Sequence, residues 1–188
     1  MSNNEIIMLK LLLENKETPL SIRTIAGKLK INYRIAYETS LNLEKEKLVE
    51  IRRIGNANLC TLGKKFNGKV FLAEELRCND LCKNKDFLVI QNKLQKLPFG
   101  FVALIFGSYA KGTATQKSDI DLLTIGGDAK EIEKTIRLLP YNIHLTAILV
   151  ADFTTMAKSK EFTVVSEALK KNIIIVGTEQ YYRLLENA

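Results

Sequence analysis

The reading of this chain turns on Phe106-Gly107-Ser108-Tyr109-Ala110-Lys111-Gly112-Thr113-Ala114-Thr115-Gln116-Lys117-Ser118-Asp119-Ile120-Asp121-Leu122-Leu123-Thr124-Ile125. The run Phe101–Phe106 that leads into it is continuously apolar, as expected of a strand buried on both faces. Gly107 then permits a tight turn and a close backbone approach. A short helix is expected to start there, with its free N–H groups and positive dipole end turned toward a phosphate. Ten residues separate Ser108 from Asp119. Asp119 and Asp121 are expected to alternate on one strand, which puts both carboxylates on one face. Two carboxylates that close oppose each other's ionisation unless a cation sits between them. Magnesium is a hard cation that takes carboxylates together with substrate phosphates. A phosphate cradle beside an Asp-x-Asp strand is therefore a site for a metal–nucleotide complex.

On the N-terminal side, a helix is expected over Asp86–Leu97, ended by Pro98-Phe99-Gly100. On the C-terminal side, Asn142-Ile143-His144-Leu145-Thr146-Ala147-Ile148-Leu149 reads as a strand. Ile143, Leu145, Ala147 and Leu149 form one face of it, and Asn142, His144 and Thr146 share the other with Ile148. Asp152 is expected to cap a helix Phe153–Lys158. A helix Glu161–Lys171, a strand Ile173–Val176 and a helix Glu179–Glu186 complete a small α/β unit.

The Gly-Ser pair followed by Ser118-Asp119-Ile120-Asp121-Leu122-Leu123 resembles the signature of the DNA polymerase beta-type nucleotidyltransferase superfamily, above all its small stand-alone members. The resemblance covers about 20 residues in detail, and the strand–helix order extends it over residues 86–188. It implies that Gly107 and Ser108 bind the β- and γ-phosphates of a nucleoside triphosphate. It implies that Asp119 and Asp121 bind Mg2+ or Mn2+, and that a nucleoside monophosphate, AMP from ATP, passes to an acceptor. Lys111 is placed to meet phosphate charge, with a solvated loop lysine as the alternative. The family carries a third carboxylate on a neighbouring strand. Here no Asp or Glu occurs between Glu133 and Asp152, and His144 stands on the polar face where that ligand is expected. Imidazole suits manganese or zinc better than magnesium. The other reading of His144 is a hydrogen-bonded structural residue.

The first part of the chain reads differently. Helices are expected over residues 4–15, from Ser21 to about Lys30, and from about Asn32 to Lys47. In the third, Ala36, Ser40 and Leu43 face inward, and Asn32, Tyr33, Arg34 and Tyr37 face out. Leu48–Ile54 reads as a strand, Gly55-Asn56-Ala57-Asn58 as a turn and Leu59–Leu62 as a return strand. Three helices and a hairpin resemble a winged helix-turn-helix domain. That resemblance implies a duplex DNA partner, with Arg34, Arg52 and Arg53 contacting phosphates. RNA or a protein are the other partners it allows.

The expected fold class is thus α/β (α+β): a winged helix-turn-helix with a linker helix over residues 1–83, then a small mixed-sheet nucleotidyltransferase domain over 84–188. The polar stretch Asn79–Asp86 is the expected boundary. Two other readings stand beside the enzyme. One is a DNA-binding regulator with a degenerate nucleotide-sensing domain; the other is an antitoxin-like adenylyltransferase acting on a partner protein.

Charge supports the division. Residues 1–85 hold 16 Lys/Arg against 10 Asp/Glu, a net of +6, and residues 86–188 hold 12 against 11, a net of +1. A basic first half fits nucleic acid or a solvated lysine-rich surface. The longest uncharged stretches, Leu97–Ala110 and Leu138–Ala151, are 14 residues each. That is short of the roughly 18 or more apolar residues a membrane helix needs. With no basic segment leading into an apolar run at the start, and only 3 cysteines, a cytoplasmic protein without disulfides is expected. Cys60, Cys78 and Cys82 read as reduced, inert thiols rather than zinc ligands, and Tyr181-Tyr182 as packing.

Overall fold

The computed structural model describes residues 3–159 and 163–186. Contacts divide the chain into two compact units, Met1–Arg77 and Cys78–Ala188.

In the first unit the order is α1 (Asn3–Glu14), β1 (Leu20–Ser21), α2 (Ile22–Leu29), α3 (Tyr33–Lys45), β2 (Val49–Ile54) and β3 (Ala57–Leu62). The strands form one antiparallel sheet in the order β1-β3-β2. This is the winged helix-turn-helix arrangement. The helices α2 and α3 each start on a side-chain cap: Ser21 Oγ accepts the Thr24 N–H at 3.0 Å, and Asn32 Oδ1 accepts the Arg34 N–H at 2.8 Å. Lys30, in the left-handed conformation, stops α2. On α3 the inward residues are Ala36, Thr39, Ser40 and Leu43. They join Met8, Leu9, Leu12, Ile22, Ile25, Leu48 and Cys60 in the buried set of this unit. The expected four-residue turn is corrected to two residues, because Ile54 pairs with Ala57 and leaves only Gly55-Asn56 between the strands. Gly55, at φ +57°, supplies the positive φ that a two-residue hairpin loop asks for at its first position.

The helix α4 (Gly68–Leu81) contains the division between the units. Its Glu74 and Arg77 are buried and pair at 2.5 Å. Beside them the half-buried Lys16 has its pKa lowered to about 8; burial is the main cause, the Glu74 charge opposes it and Arg77 adds to it.

The second unit runs α5 (Lys85–Leu94), β4 (Val102–Ile105), α6 (Gly107–Lys111), β5 (Ile120–Ile125), α7 (Ala129–Arg137), β6 (Ile143–Ile148), α8 (Val150–Lys158), α9 (Val164–Lys170), β7 (Ile173–Val176) and α10 (Thr178–Glu186). The sheet order is β6-β5-β4-β7. β4 lies antiparallel to both β5 and β7, and β5 is parallel to β6, so the sheet is mixed. Alternation explains how one short strand serves two layers. Ala103 and Ile105 of β4 join Phe87, Ile90 and Leu94 of α5 and Ile132 and Ile136 of α7 in one cluster. Val102 and Leu104 point the other way and are equally buried. Phe153 of α8 and Tyr181 of α10 are buried with ring centroids 6.3 Å apart, so Tyr181 packs as the sequence implied.

Asp152 does not cap a helix that begins at Phe153; α8 begins at Val150 with Leu149 ahead of it, and Asp152 lies in its first turn. Asp119 stands one residue ahead of β5 rather than within it. The expected helix start at Glu161 lies outside the described residues. No described helix is long and apolar enough to cross a membrane.

Candidate functional site

The C-terminal end of β4 and the N-terminal end of β5 lie side by side, with Ile105 opposite Leu122. One step beyond, the Phe106 N–H donates to the Asp121 carbonyl at 3.1 Å. The chain then turns at Gly107, with φ +65°, into the five residues of α6. Gly112, in the left-handed conformation, ends that helix. The return loop is held by its own bonds: the Thr115 N–H donates to Ser118 Oγ at 2.9 Å, and the Ser118 N–H donates to the Thr115 carbonyl at 3.0 Å.

Gly107 and Asp121 meet at the mouth of this loop. A Cβ on Gly107 would stand 2.0 Å from Asp121 Oδ2. The Asp121 carboxylate therefore occupies the space that any side chain at 107 would need. Its side chain is 29% exposed, so the carboxylate is packed on one side and open on the other. Asp119 is exposed, and its Oδ1 accepts a hydrogen bond from Asn142 Nδ2 at 2.5 Å. The backbone repeats the link, because the Ile120 N–H donates to the Asn142 carbonyl at 2.9 Å.

His144 sits directly opposite Asp121 in the parallel β5–β6 register. Its Nδ1 lies 3.6 Å from Asp121 Oδ1, too far for a hydrogen bond, and its side chain is 73% exposed. Lys111 Nζ pairs with Glu167 Oε1 of α9 at 2.6 Å. Among the described residues, no three His, Cys, Asp or Glu side chains group to hold a metal ion. Two carboxylates of hard oxygen, one of them seated in a cradle that a Cβ would fill, do fit magnesium's habit of taking one or two carboxylates and completing its shell with phosphates and water.

The cysteines are occupied otherwise. Gln91 Nε2 donates to Cys78 Sγ at 3.2 Å, and the Cys82 thiol donates to Gln91 Oε1 at 3.4 Å. Burial pushes the Cys60 and Cys82 thiols up, away from the reactive thiolate.

In the first unit, Arg34 lies in the first turn of α3 with its side chain 86% exposed and its Nε 2.8 Å from Glu38 Oε1. Arg52, on β2, is 78% exposed and pairs with Glu50 at 3.4 Å. Arg53 Nε donates to the Gly55 carbonyl at 3.3 Å. A groove of about 380 Å³ is lined by Arg23, Tyr33, Ile54, Asn56 and Asn58, among others. Tyr33 and Tyr37 stack with centroids 6.2 Å apart on the exposed face of α3.

Sequence reasoning missed Arg23, Asn142 and Glu167 as neighbours of these sites. Asn142 carried a signal, a polar residue at the start of the strand that follows the Asp-x-Asp strand. Glu167 carried none, since it meets Lys111 across 56 residues of chain.

The family described as "Nucleotidyltransferase domain" matches residues 89–176. No curated protein matches the chain. Two structures of ZitR variants from Lactococcus lactis resemble it with TM-scores of 0.36 and 0.35, each at 22% identity over 50% of this chain and 62% of theirs. MepR, described as a transcription regulator of the Staphylococcus aureus multidrug efflux pump MepA, resembles it with a TM-score of 0.34 at 17% identity, over 51% of this chain and 76% of its own. The chain thus spans 62% of the length of the ZitR chains it matches.

Proposed function

We propose that the chain is a metal-dependent nucleotidyltransferase of the polymerase beta type, which transfers AMP from ATP to an acceptor and docks on duplex DNA through its winged helix. The reading rests on one observation above the others: the Asp121 carboxylate lies against the bare Cα of Gly107. The nucleotidyltransferase family match over residues 89–176 supports it.

In this reading Gly107 and Ser108 bind the β- and γ-phosphates with backbone N–H groups at the turn. Gly107 has no side chain, so the phosphates approach the backbone closely while Asp121 keeps its place. Asp119 and Asp121 are the residues that would hold Mg2+ or Mn2+. When bound, such a cation offsets the triphosphate charge and polarises the α-phosphorus toward attack. Lys111 adds a positive charge at the end of α6, already ordered by Glu167. The acceptor oxygen bonds to the α-phosphorus, the bond to the β-phosphate oxygen breaks, pyrophosphate leaves, and the acceptor's proton passes to water.

An exposed His144, where the resemblance asks for a carboxylate, favours a second reading: a nucleotide-sensing domain serving a DNA-binding regulator. One experiment separates the two. The purified chain is incubated with each labelled nucleoside triphosphate, Mg2+ or Mn2+, and DNA, RNA or protein acceptors. Transfer of label with release of pyrophosphate supports the enzyme. Tight divalent-dependent ATP binding without transfer supports the sensor, and no nucleotide binding removes both.

A further inference from the structure

Asn142 stands one residue ahead of β6 and reaches the start of β5 twice over. Its carbonyl accepts the Ile120 N–H at 2.9 Å, and its side-chain Nδ2 donates to Asp119 Oδ1 at 2.5 Å. The opposite amide orientation would bring two oxygens of like partial charge to that distance, so the amide must present its N–H to the carboxylate. Asp119 needs such a hold. It precedes β5, so no ladder partner orders it as His144 and the β5–β6 register order Asp121. It is also exposed, so packing does not restrict its rotamer.

We infer that Asn142 is a positioning residue for the metal–nucleotide site: it fixes the Asp119 carboxylate through Oδ1 and leaves Oδ2 directed to the ligand. This rests on the reading of Asp119 and Asp121 as the metal-binding pair. Asn142 acts through Asp119 and touches neither phosphate nor metal. The chemistry requires a neutral donor at this place. An aspartate would repel Asp119, and an aliphatic residue would free it to rotate. Residues that orient a ligating carboxylate in this way commonly change metal affinity by about 10–100-fold when removed.

The experiment measures Mn2+ binding by the loss of the free-ion electron spin resonance signal, with and without ATP. The full-length wild type is compared with Asn142→Ala, Asn142→Asp, Asp119→Asn and the Asn142→Ala/Asp119→Asn double variant. Thermal midpoints without metal are recorded for each. The expected result is an affinity about 10–100-fold weaker in Asn142→Ala, at an unchanged midpoint, because the backbone bond to Ile120 survives the substitution. Asn142→Asp is expected to be weaker still. Measured on the weak Mn2+ binding that Asp121 alone retains without ATP, Asn142→Ala in the Asp119→Asn background is expected to have no further effect, a coupling that a purely structural role would not produce. Equal affinity in wild type and Asn142→Ala overturns the inference and leaves the site reading standing. Tighter binding in Asn142→Asp also overturns it, since a carboxylate at 142 would then be a ligand in its own right. A wild type that holds no Mn2+ with ATP overturns the site reading and this inference together.

Discussion

Asp121 Oδ2 lies 2.0 Å from the point where a Cβ on Gly107 would stand, so a glycine and a carboxylate 14 positions apart share one pocket of space. Gly107→Ala is the direct probe of this relationship. The backbone there has φ +65°, which costs an L-residue about 1–2 kcal/mol, and the methyl group would displace the carboxylate. The expected outcome is a lowered thermal midpoint together with loss of divalent-dependent ATP binding by calorimetry. An alanine variant that binds as the wild type does would show that Asp121 has room to move and is not held where the site needs it.

Asp119→Ala and Asp121→Ala are each expected to abolish ATP binding in Mg2+, because the metal–triphosphate charge needs both carboxylates. Each should leave the stability of the nucleotide-free protein within about 0.5 kcal/mol, as for other exposed or half-exposed substitutions. Calorimetry on the two variants checks this. Undiminished affinity in either one would take that residue out of the site.

His144→Asp sets a second carboxylate opposite Asp121 on the neighbouring parallel strand. If position 144 is where the third ligand belongs, transfer with Mg2+ is expected to rise above the wild-type rate, because a carboxylate matches that hard cation and an imidazole does not. His144→Ala, at a largely exposed position, is expected to change stability by less than about 0.5 kcal/mol. Rates measured in Mg2+ and in Mn2+ for both variants decide the matter, and identical metal preferences throughout would place His144 outside the coordination shell.

For the winged helix, the triple variant Arg34→Ala/Arg52→Ala/Arg53→Ala is expected to weaken duplex DNA binding. It should also flatten the plot of log affinity against log salt by about 0.9 for each phosphate that is no longer neutralised. The three side chains are held by Glu38, by Glu50 and by the Gly55 carbonyl. Exposed contacts of this kind contribute little, so phosphate competes for the arginines with ease. Glu38→Gln is accordingly expected to tighten binding. Unchanged salt slopes in the triple variant would assign the basic charge to solvation.

Lys16 gives a pH-dependent expectation. Folding lowers its pKa from 10.5 to about 8, chiefly through burial. Below pH 8 the ammonium is charged in both states, and its burial is a full cost to the fold. Between about 8 and 10.5 the unfolded chain holds the extra proton, so this contribution makes stability rise with pH. Above about 10.5 the cost vanishes. Lys16→Met is therefore expected to stabilise the protein at pH 7 by on the order of 1–3 kcal/mol, allowing for partial exposure, and to make no difference at pH 11. Urea midpoints of the two proteins at both pH values test it.

Much of this was legible in the chain because local chemistry repeats. The α3 face of Ala36, Ser40 and Leu43 follows from helical spacing, and the Ser21 cap from its place before an amphipathic run. The strand–turn–helix at Gly107 and the strand that carries Asp121 are readable because a glycine turn between two apolar strands leaves few alternatives. What was not legible depends on pairing across space. β1 has only two residues, too few for any periodicity. The antiparallel run of β4 against β5 carries no trace in composition. Asp119 fell off the strand because β5 begins where Ile120 bonds to Asn142, a partner more than 20 residues away. The sequence leaves Lys111 between a phosphate contact and a solvated lysine, and Glu167 enters only once the fold brings α9 to it.

The bond from the Phe106 N–H to the Asp121 carbonyl ties off everything between them as a loop with a sealed neck. The ten-residue interval between Ser108 and Asp119 is then a signature rather than a strut. Lengthening a closed loop costs little, only about 0.6 kcal/mol for each doubling. Extra residues inserted beside Ala114, ahead of the turn that Thr115 and Ser118 close, would swell the loop's far end and leave Gly107 seated against Asp121. The distance along the chain that makes the site recognisable is thus the part of it most free to drift, and a sister chain could lose the spacing while keeping the chemistry.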